Sequence, residues 1–172
     1  MSLIFPITPF SESEFSSCRL YIGTTHACAD LGGRWCLILR HSDEETYSLF
    51  YTVGSPYKEN PYKRQLDENQ RLKHPKRIFE AWYEIGVIQE EDLDKLMRVF
   101  INTEAGPDQF FTLRFLEGLA SEGLVEYLLV KKLLSEPKYS DSEADHYEYK
   151  LAPVDAEFFA RKGFKRELDL GK

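Results

Sequence analysis

The sequence predicts an α+β protein, in which an antiparallel sheet of about four or five strands carries helices packed largely on one side. A hairpin signal supports the sheet, because two apolar runs are joined by only five polar residues, His41 to Glu45. Two later segments, residues 89–100 and 108–122, carry apolar side chains at helical spacing. The main strand signals precede these helix signals along the chain, which favours helices that share one face of a sheet.

A single domain over residues 1–172 is expected, with an extended N-terminal arm (1–17) and a charged C-terminal tail (155–172). Hydrophobic residues make up 42%, charged residues 30% and aromatic residues 14%, which excludes disorder and coiled coil as the main description. No apolar run approaches the roughly 20 residues that a membrane span needs, and no signal peptide is recognised. Together with three cysteines that cannot all pair with one another, these features predict a cytoplasmic protein.

The strand signals differ in strength along the chain. Residues 34–40 form a continuous apolar stretch, which is typical of a central strand covered on both faces. Residues 46–53 are rich in β-branched and aromatic side chains and complete the hairpin. A short strand is expected at residues 19–22 and another strand at 76–88, whereas the polar, proline-containing residues 54–75 are expected to form a long loop.

The helix signals come from apolar spacing. In residues 89–100 one face is formed by Leu93, Leu96, Met97 and Phe100. Residues 108–122 end at Gly123, a residue type favoured just beyond a helix, and their buried stripe is expected to be Phe111, Phe115, Leu116 and Leu119. Residues 124–134 fit either a third helix or an apolar strand, and residues 146–151 alternate like an edge strand.

The net charge limits the partners. The chain carries 22 basic and 29 acidic residues, a formal charge of −7, which argues against a broad nucleic-acid footprint. We therefore expect neither a nucleic-acid partner nor a membrane span, and the oligomeric state remains open.

The small-residue loop expected at 23–33 contains His26 and Cys28. With Cys36 these residues could supply three metal ligands, but the paired spacing of structural zinc sites is absent, so we expect no metal and no cofactor. A Cys28–His26 dyad remains open as a nucleophilic alternative, because side chains at i and i+2 share a face of an extended chain. Cys36 lies in an apolar strand and is expected to be inert.

The sequence contains no P-loop, no dinucleotide-binding motif and no serine-nucleophile elbow.

The most informative segment is Gly106-Pro107-Asp108-Gln109-Phe110-Phe111-Thr112-Leu113-Arg114-Phe115-Leu116. It resembles the nucleophile helix of circularly permuted papain-like proteins, the NlpC-like group with lecithin retinol acyltransferase and the PPPDE peptidases as relatives. In that group a His on an early strand, often just before a Trp, pairs with a Cys at the start of a later helix. The strand here is Arg34-Trp35-Cys36-Leu37.

The sequence looks closer still to fungal proteins in which a His-Trp strand, an aromatic helix and a Gly-Leu-Val segment follow one another. Glu122-Gly123-Leu124-Val125 matches the last part, and the resemblance covers roughly residues 20–125. It implies a permuted papain-like topology.

Two positions depart from the pattern of that group: Arg34 stands where the His would be, and Asp108 where the Cys would be. Arginine stays protonated and cannot act as a general base, and a carboxylate is a poor acyl acceptor, so the usual thiol chemistry is lost. Asp108 is expected to cap its helix, and Arg34 could pair with it across the cleft. Such a pair either plugs a dead site or orients a ligand, with Gln109 and Thr112 as further hydrogen-bonding groups.

The first functional hypothesis is a small-molecule enzyme or binder on a papain-like scaffold that lacks the Cys-His pair. The expected cleft lies between strand 34–40 and the start of helix 108–122, and its lining is expected from Arg34, Trp35, Asp108, Gln109, Thr112, His26 and Trp82. The aromatic wall favours an apolar ligand. A cyclisation, an isomerisation or a hydrolysis would suit such a pocket.

In this hypothesis Arg34 would hold an oxyanion, and Asp108 or His26 would move a proton. His26 is the preferred general base among the histidines, because imidazole titrates near neutral pH and the other three are expected to be solvated.

The second hypothesis is a non-catalytic interaction module. Its contact surface would be the predicted loop 54–75 or the acidic segment 136–145. The cleft would then be filled by side chains, with Arg34 and Asp108 joined.

Overall fold

The computed structural model of the chain describes residues 16–25, 34–54, 59–71 and 79–134. Five strands form one sheet: β1 (Ser17–Thr25), β2 (Trp35–Arg40), β3 (Tyr47–Val53), β4 (Lys63–Gln70) and β5 (Phe79–Gln89). A 3₁₀ turn (Glu90–Asp92) precedes three helices: α1 (Leu93–Asn102), α2 (Asp108–Ser121) and α3 (Tyr127–Leu134). The strands lie in the order β4-β3-β2-β1-β5 and all neighbours are antiparallel, so the predicted α+β class is confirmed.

Strand β2 occupies the centre of the sheet, as its continuous apolar stretch predicted. It pairs with β1 on one side and with β3 on the other. Leu37 and Ile38 are neighbours in a strand and therefore face opposite sides of the sheet, yet both are 0% exposed. The prediction of a strand covered on both faces is confirmed.

The side chain of Asp43 makes three hydrogen bonds within the turn between β2 and β3. Oδ1 of Asp43 accepts hydrogen bonds from the backbone N–H groups of Glu45 and Thr46, and its Oδ2 accepts one from the Thr46 hydroxyl. These bonds stabilise the charged form and lower the pKa of Asp43. Since β2 and β3 pair antiparallel on either side of this turn, the hairpin predicted from the polar interval is confirmed.

Strand β1 is longer than the short strand expected at 19–22, and it extends into the predicted small-residue loop as far as Thr25. Gly23 lies within it, paired with Cys36 of β2. A Cβ atom at this position would stand 2.5 Å from Cδ1 of Ile38, so the glycine here serves close packing rather than a turn.

The prediction of a long loop over residues 54–75 is wrong in its centre, where β4 forms the edge of the sheet beside β3. Periodicity could not reveal this strand, because most of its side chains are polar or charged and none is fully buried. Edge strands often carry such side chains, since charge discourages pairing with another chain. Pro61 precedes the strand, where the missing N–H does not interrupt the ladder.

The helices pack on one face of the sheet, and α2 lies against β2 and β3. The four residues predicted for the buried stripe of α2 are all 0% exposed. In α1, Leu96 and Phe100 are buried while Leu93 and Met97 are half-buried. An aromatic cluster joins these helices to β3: Phe50, Phe100, Phe111 and Phe115.

The opposite face of the sheet carries a second buried cluster, formed by Tyr21, Cys36, Ile38, Tyr47, Phe79 and Trp82. Trp82 is its centre, because its ring stacks on Tyr21 at 5.5 Å, on Tyr47 at 5.4 Å and on Phe79 at 5.9 Å. Aromatic stacking at these distances adds to the gain from burying the rings and gives this face a rigid wall.

Residues 124–134, for which helix and strand were both open, contain helix α3. The predicted edge strand at 146–151, the segment 136–145, the tail 155–172 and residues 26–33 lie outside the described residues. Within the described part of the chain, none of the helices has the length and apolar character to cross a bilayer.

Candidate functional site

The start of helix α2 reaches the start of strand β2 through one hydrogen bond. Asp108 is the first residue of α2, and its Oδ2 accepts a hydrogen bond of 2.6 Å from the backbone N–H of Trp35. The expected capping role is wrong: the helix cap is Pro107, and no side chain caps the helix. The carboxyl group instead accepts a hydrogen bond from the backbone of the first residue of β2, which is far away in the sequence.

Asp108 is buried, with 6% of its surface exposed. Its second oxygen, Oδ1, has no hydrogen-bond partner among the described residues. Burial raises the pKa of Asp108, because a charged carboxylate loses its hydration in this position. The backbone N–H groups of Trp35 and Gln109 and the charge of Arg34 oppose this rise without cancelling it. The proton of Asp108 is therefore held more firmly than that of an exposed aspartic acid.

A cavity of about 380 Å³ borders Asp108 at the end of the sheet where β2 begins and β3 ends. The residues that line it come from β2 and the position before it, from β3 and β4, and from the first residues of β5 and α2: Arg34, Trp35, Cys36, Leu49, Tyr51, Thr52, Asp67, Gln70, Phe79 and Asp108. Phe79 continues into the aromatic stack around Trp82. The volume suits a small organic molecule.

A hydrogen-bonded pair faces the same cavity from β3 and β4. The hydroxyl of Tyr51 donates to Oδ2 of Asp67 at 2.7 Å, and the amide of Gln65 donates to Oδ1 at 3.1 Å. Burial, together with the hydrogen bond and the charge of Asp67, raises the pKa of Tyr51 to about 12. Tyr51 therefore keeps its proton at neutral pH and remains a donor to Asp67.

Sequence reasoning missed this pair, because Asp67 lay in the predicted loop. The available signal was the alternation of Gln65 and Asp67, which places both on one face once β4 is recognised as a strand.

The thiol of Cys36 also lines the cavity but is not an activated nucleophile. Burial, and secondarily the charge of Asp108, raises the pKa of Cys36 to about 12, so the thiol keeps its proton. Burial also raises the pKa of Cys18. Both are free cysteines, and within the described residues no group of three His, Cys, Asp or Glu side chains is arranged to hold a metal ion.

The structure brings together three of the residues proposed from sequence: Arg34, Trp35 and Asp108 all border the cavity. Arg34 is exposed at its rim, and no ion pair joins it to Asp108 in the described part of the chain. The charge of Arg34 therefore acts on Asp108 at longer range.

The remaining proposed residues occupy other positions. Trp82 lies behind Phe79 rather than in the cavity lining. Gln109 and Thr112 are buried in α2 and are not among the lining residues; their Oε1 and Oγ1 atoms have no partner among the described residues. His26 lies outside the described residues. His41, expected in solvent, is half-buried and its Nε2 lies 2.7 Å from the hydroxyl oxygen of Ser48.

A larger groove of about 680 Å³ runs between α1 and α2, but its charged side chains are mostly exposed, as Arg98, Arg114 and Glu117 illustrate. Water satisfies an exposed charge, whereas a buried carboxyl group with an unpaired oxygen lacks a hydrogen bond that a ligand could supply. The smaller cavity beside Asp108 is therefore the better candidate site.

The fold and the site together define an α+β protein with a cavity at one end of its central strand, and the buried Asp108 is part of the lining of this cavity. Searches of protein-family models, of curated proteins and of solved structures found no match to this chain.

Proposed function

We propose that this chain is an enzyme or binder of small molecules, built on a permuted papain-like scaffold whose Cys-His pair is replaced by Asp108 and Arg34. The observation that carries the proposal is the cavity of about 380 Å³ that contains a buried carboxyl group with one unpaired oxygen. A buried polar atom without a hydrogen-bond partner lowers the stability of the folded protein. Such atoms are often kept because they serve a functional site.

The scaffold is supported by a hydrogen bond between one replaced position, Asp108, and the neighbour of the other. In the papain-like arrangement the start of the helix must lie beside the early strand, and here Asp108 is bonded to Trp35, the neighbour of Arg34. This contact spans 73 positions of the chain and is therefore a feature of the tertiary structure rather than of local sequence.

The chemistry available in the cavity is proton transfer. Asp108 holds its proton more firmly than an exposed carboxyl group, so it can donate to a carbonyl or leaving group and take the proton back. Arg34 at the rim can hold a developing oxyanion. The reactions that need only these groups are an isomerisation, a cyclisation or a hydrolysis.

The alternative is a non-catalytic interaction module with a filled cleft. In that case side chains would fill the cleft, whereas a cavity of about 380 Å³ borders Asp108. This observation favours the small-molecule function.

A fragment screen by ligand-observed NMR tests the proposal, with the variant Leu49→Trp as a cavity block. Leu49 is half-buried in the cavity wall, so a larger ring there fills the space that a ligand would use. Fragments that bind the unmodified protein should lose binding to this variant by about tenfold or more. The matched control is Leu128→Trp, because Leu128 is 62% exposed on α3 and remote from the cavity lining.

The proposal fails if no fragment binds the unmodified protein, or if the bound fragments are insensitive to Leu49→Trp. Thermal unfolding of both variants verifies that each is folded under the conditions of the screen.

A further inference from the structure

The connection between α1 and α2, residues 103–107, is tied to the sheet by two side chains. The hydroxyl of Thr52 donates a hydrogen bond of 2.8 Å to the backbone carbonyl of Gly106. Nη1 of Arg64 donates a hydrogen bond of 2.8 Å to the backbone carbonyl of Thr103. These bonds span 54 and 39 positions of the chain, so both belong to the tertiary structure rather than to local sequence.

The two donors are neighbours in the sheet. Thr52 of β3 and Arg64 of β4 are register partners, so their side chains leave the sheet from the same face. This face carries the helices, because Phe50, two positions before Thr52, packs in the aromatic cluster with α1 and α2. Thr52 is buried, whereas Arg64 is exposed at the edge of the sheet. The connection is therefore anchored both in the interior and at the rim.

The anchor at Gly106 lies directly before α2. The ring of the next residue, Pro107, fixes its φ, here −51°, and its carbonyl accepts a hydrogen bond of 2.7 Å from the N–H of Phe111 in the first turn of the helix. The peptide bond between Gly106 and Pro107 is planar. Little backbone freedom therefore separates the carbonyl that Thr52 holds from Asp108, and a displacement of the anchor moves the Asp108 carboxyl group.

We propose that Thr52 and Arg64 are positioning residues for Asp108: they hold the α1–α2 connection on the sheet and so keep the carboxyl group at the cavity. This inference rests on the proposed function, since it explains how the acid of that same cavity is held in place. With the bond from Trp35 to Asp108, three strands hold the start of α2, at the beginnings of β2 and β4 and the end of β3. Loss of one anchor should loosen the bond between Asp108 and Trp35.

The first experiment follows hydrogen exchange of the Trp35 backbone N–H by NMR, because its protection reports the bond to Asp108. The rate is expressed relative to that of Leu37, which pairs with both neighbouring strands in the centre of β2. Thr52→Val removes the hydroxyl with little change of shape, and Thr52→Ser keeps it. We expect the relative rate to rise about fivefold or more in Thr52→Val, as for the loss of one hydrogen bond, and to stay nearly unchanged in Thr52→Ser.

The matched control is Ser48→Ala, which removes a buried hydroxyl from the other end of β3. A general loss of stability accelerates exchange throughout the sheet, whereas a loosened helix start accelerates Trp35 more than Leu37. Ser48→Ala should therefore leave the relative rate unchanged.

Arg64 allows the same comparison at the rim. Arg64→Met removes the donor and keeps most of the apolar stem. The bond to Thr103 uses one nitrogen, so Arg64→Lys can supply a donor in its place. The control for the lost charge is Lys63→Met, because Lys63 is exposed and its side chain leaves the other face of β4. We expect the relative rate of Trp35 to rise about twofold or more in Arg64→Met and in neither of the other two variants.

Ligand affinity gives a readout that a merely structural contact would not change. Arg64 is not among the described residues that line the cavity, so its substitution reaches a ligand through the α1–α2 connection. Fragments whose binding is sensitive to Leu49→Trp should bind Arg64→Met about twofold or more weakly. Arg64→Lys and Lys63→Met should bind them as the unmodified protein does.

The inference is wrong if Thr52→Val and Ser48→Ala give the same relative rate, or if Thr52→Ser exchanges as fast as Thr52→Val. It is also wrong if Trp35 is loosened in Arg64→Met while the fragments bind as before, because the anchors then do not position the site. If no fragment binds the unmodified protein, the proposed function fails, and the exchange rates still decide whether the anchors hold the carboxyl group. Should Thr52→Val fail to fold, the exposed Arg64 carries the comparison.

Discussion

The backbone N–H of Trp35 donates to Oδ2 of Asp108 at 2.6 Å and so joins the first residue of β2 to the first residue of α2. The bond is buried, and the other oxygen of the same carboxyl group has no partner among the described residues. One side chain thus closes the end of the central strand and borders the cavity. Its substitution should affect stability and binding differently.

Replacing Asp108 separates these two roles. In Asp108→Ala the buried N–H of Trp35 loses its acceptor, which costs about 1–3 kcal/mol in the free energy of unfolding. In Asp108→Asn the amide oxygen can still accept that bond, so this variant should be more stable than Asp108→Ala by a similar amount. Urea unfolding followed by circular dichroism measures both values. Equal stability of the two variants would contradict a structural role for the bond to Trp35.

The pH dependence of stability should carry a contribution from Asp108. Its pKa is raised in the folded protein, so between its ordinary value of 3.8 and the raised value the folded state binds the proton more tightly than the unfolded state. This contribution to stability is present below pH 3.8, and it is lost as the pH rises through the pKa that Asp108 has in the folded protein. We expect the stability of the unmodified protein relative to Asp108→Asn to fall as the pH rises from 3.8 through the raised pKa of the folded protein.

Urea unfolding of both proteins at each pH measures this difference, with Asp94→Asn as the control for an exposed carboxyl group. A difference that stays constant or increases with pH would show that folding does not raise the pKa of Asp108.

The Tyr51–Asp67 pair should be coupled energetically. Tyr51→Phe removes one hydrogen bond and should cost about 1 kcal/mol. After Asp67→Ala, which removes the acceptor, the same change should cost less, giving a coupling energy of about 0.5–1.5 kcal/mol in a double-mutant cycle. Tyr127→Phe is the control, because Tyr127 is 62% exposed. Additive effects of the two substitutions would show that the pair does not interact in solution.

The cysteines in the described strands should resist alkylation. Cys18 and Cys36 are buried, and burial raises the pKa of each thiol, so little thiolate is present at neutral pH. Iodoacetamide treatment of the native protein, followed by peptide mass spectrometry, should leave both unmodified, whereas treatment in urea should modify both. Native modification of Cys36 would mean that the cavity exposes a reactive thiol.

The sequence-based assignment of His26 as a general base has its own test. Any activity found for the protein should be lowered at least about tenfold by His26→Ala. The control is His41→Ala, since His41 is engaged with Ser48 in the hairpin. If His26→Ala leaves activity and ligand affinity intact while a thiol block abolishes them, Cys28 or Cys36 is the working group.

Part of the site could be predicted from sequence and part could not. Arg34, Trp35 and Asp108 were grouped by resemblance to a strand and a helix start, and the structure places them around one cavity. Tyr51 and Asp67 escaped notice because β4 lacks an apolar period, and because the two residues become neighbours only through the pairing of β3 with β4. The capping role expected for Asp108 is local, and it was displaced by a bond to a distant strand.

The sequence by itself determined the elements that have strong apolar patterns: the β2–β3 hairpin, the buried stripe of α2 and the central position of β2. The apolar side chains of these elements are buried away from water. A helical spacing places them on one face of α2, and a continuous apolar run suits a strand that is covered on both faces. The tertiary structure alone decided which polar groups meet. Buried polar groups gain stability from specific partners at specific distances, and chain folding sets those distances between residues that are far apart in sequence. For this reason the unpaired oxygen of Asp108 and the Tyr51–Asp67 pair became visible only in the folded chain.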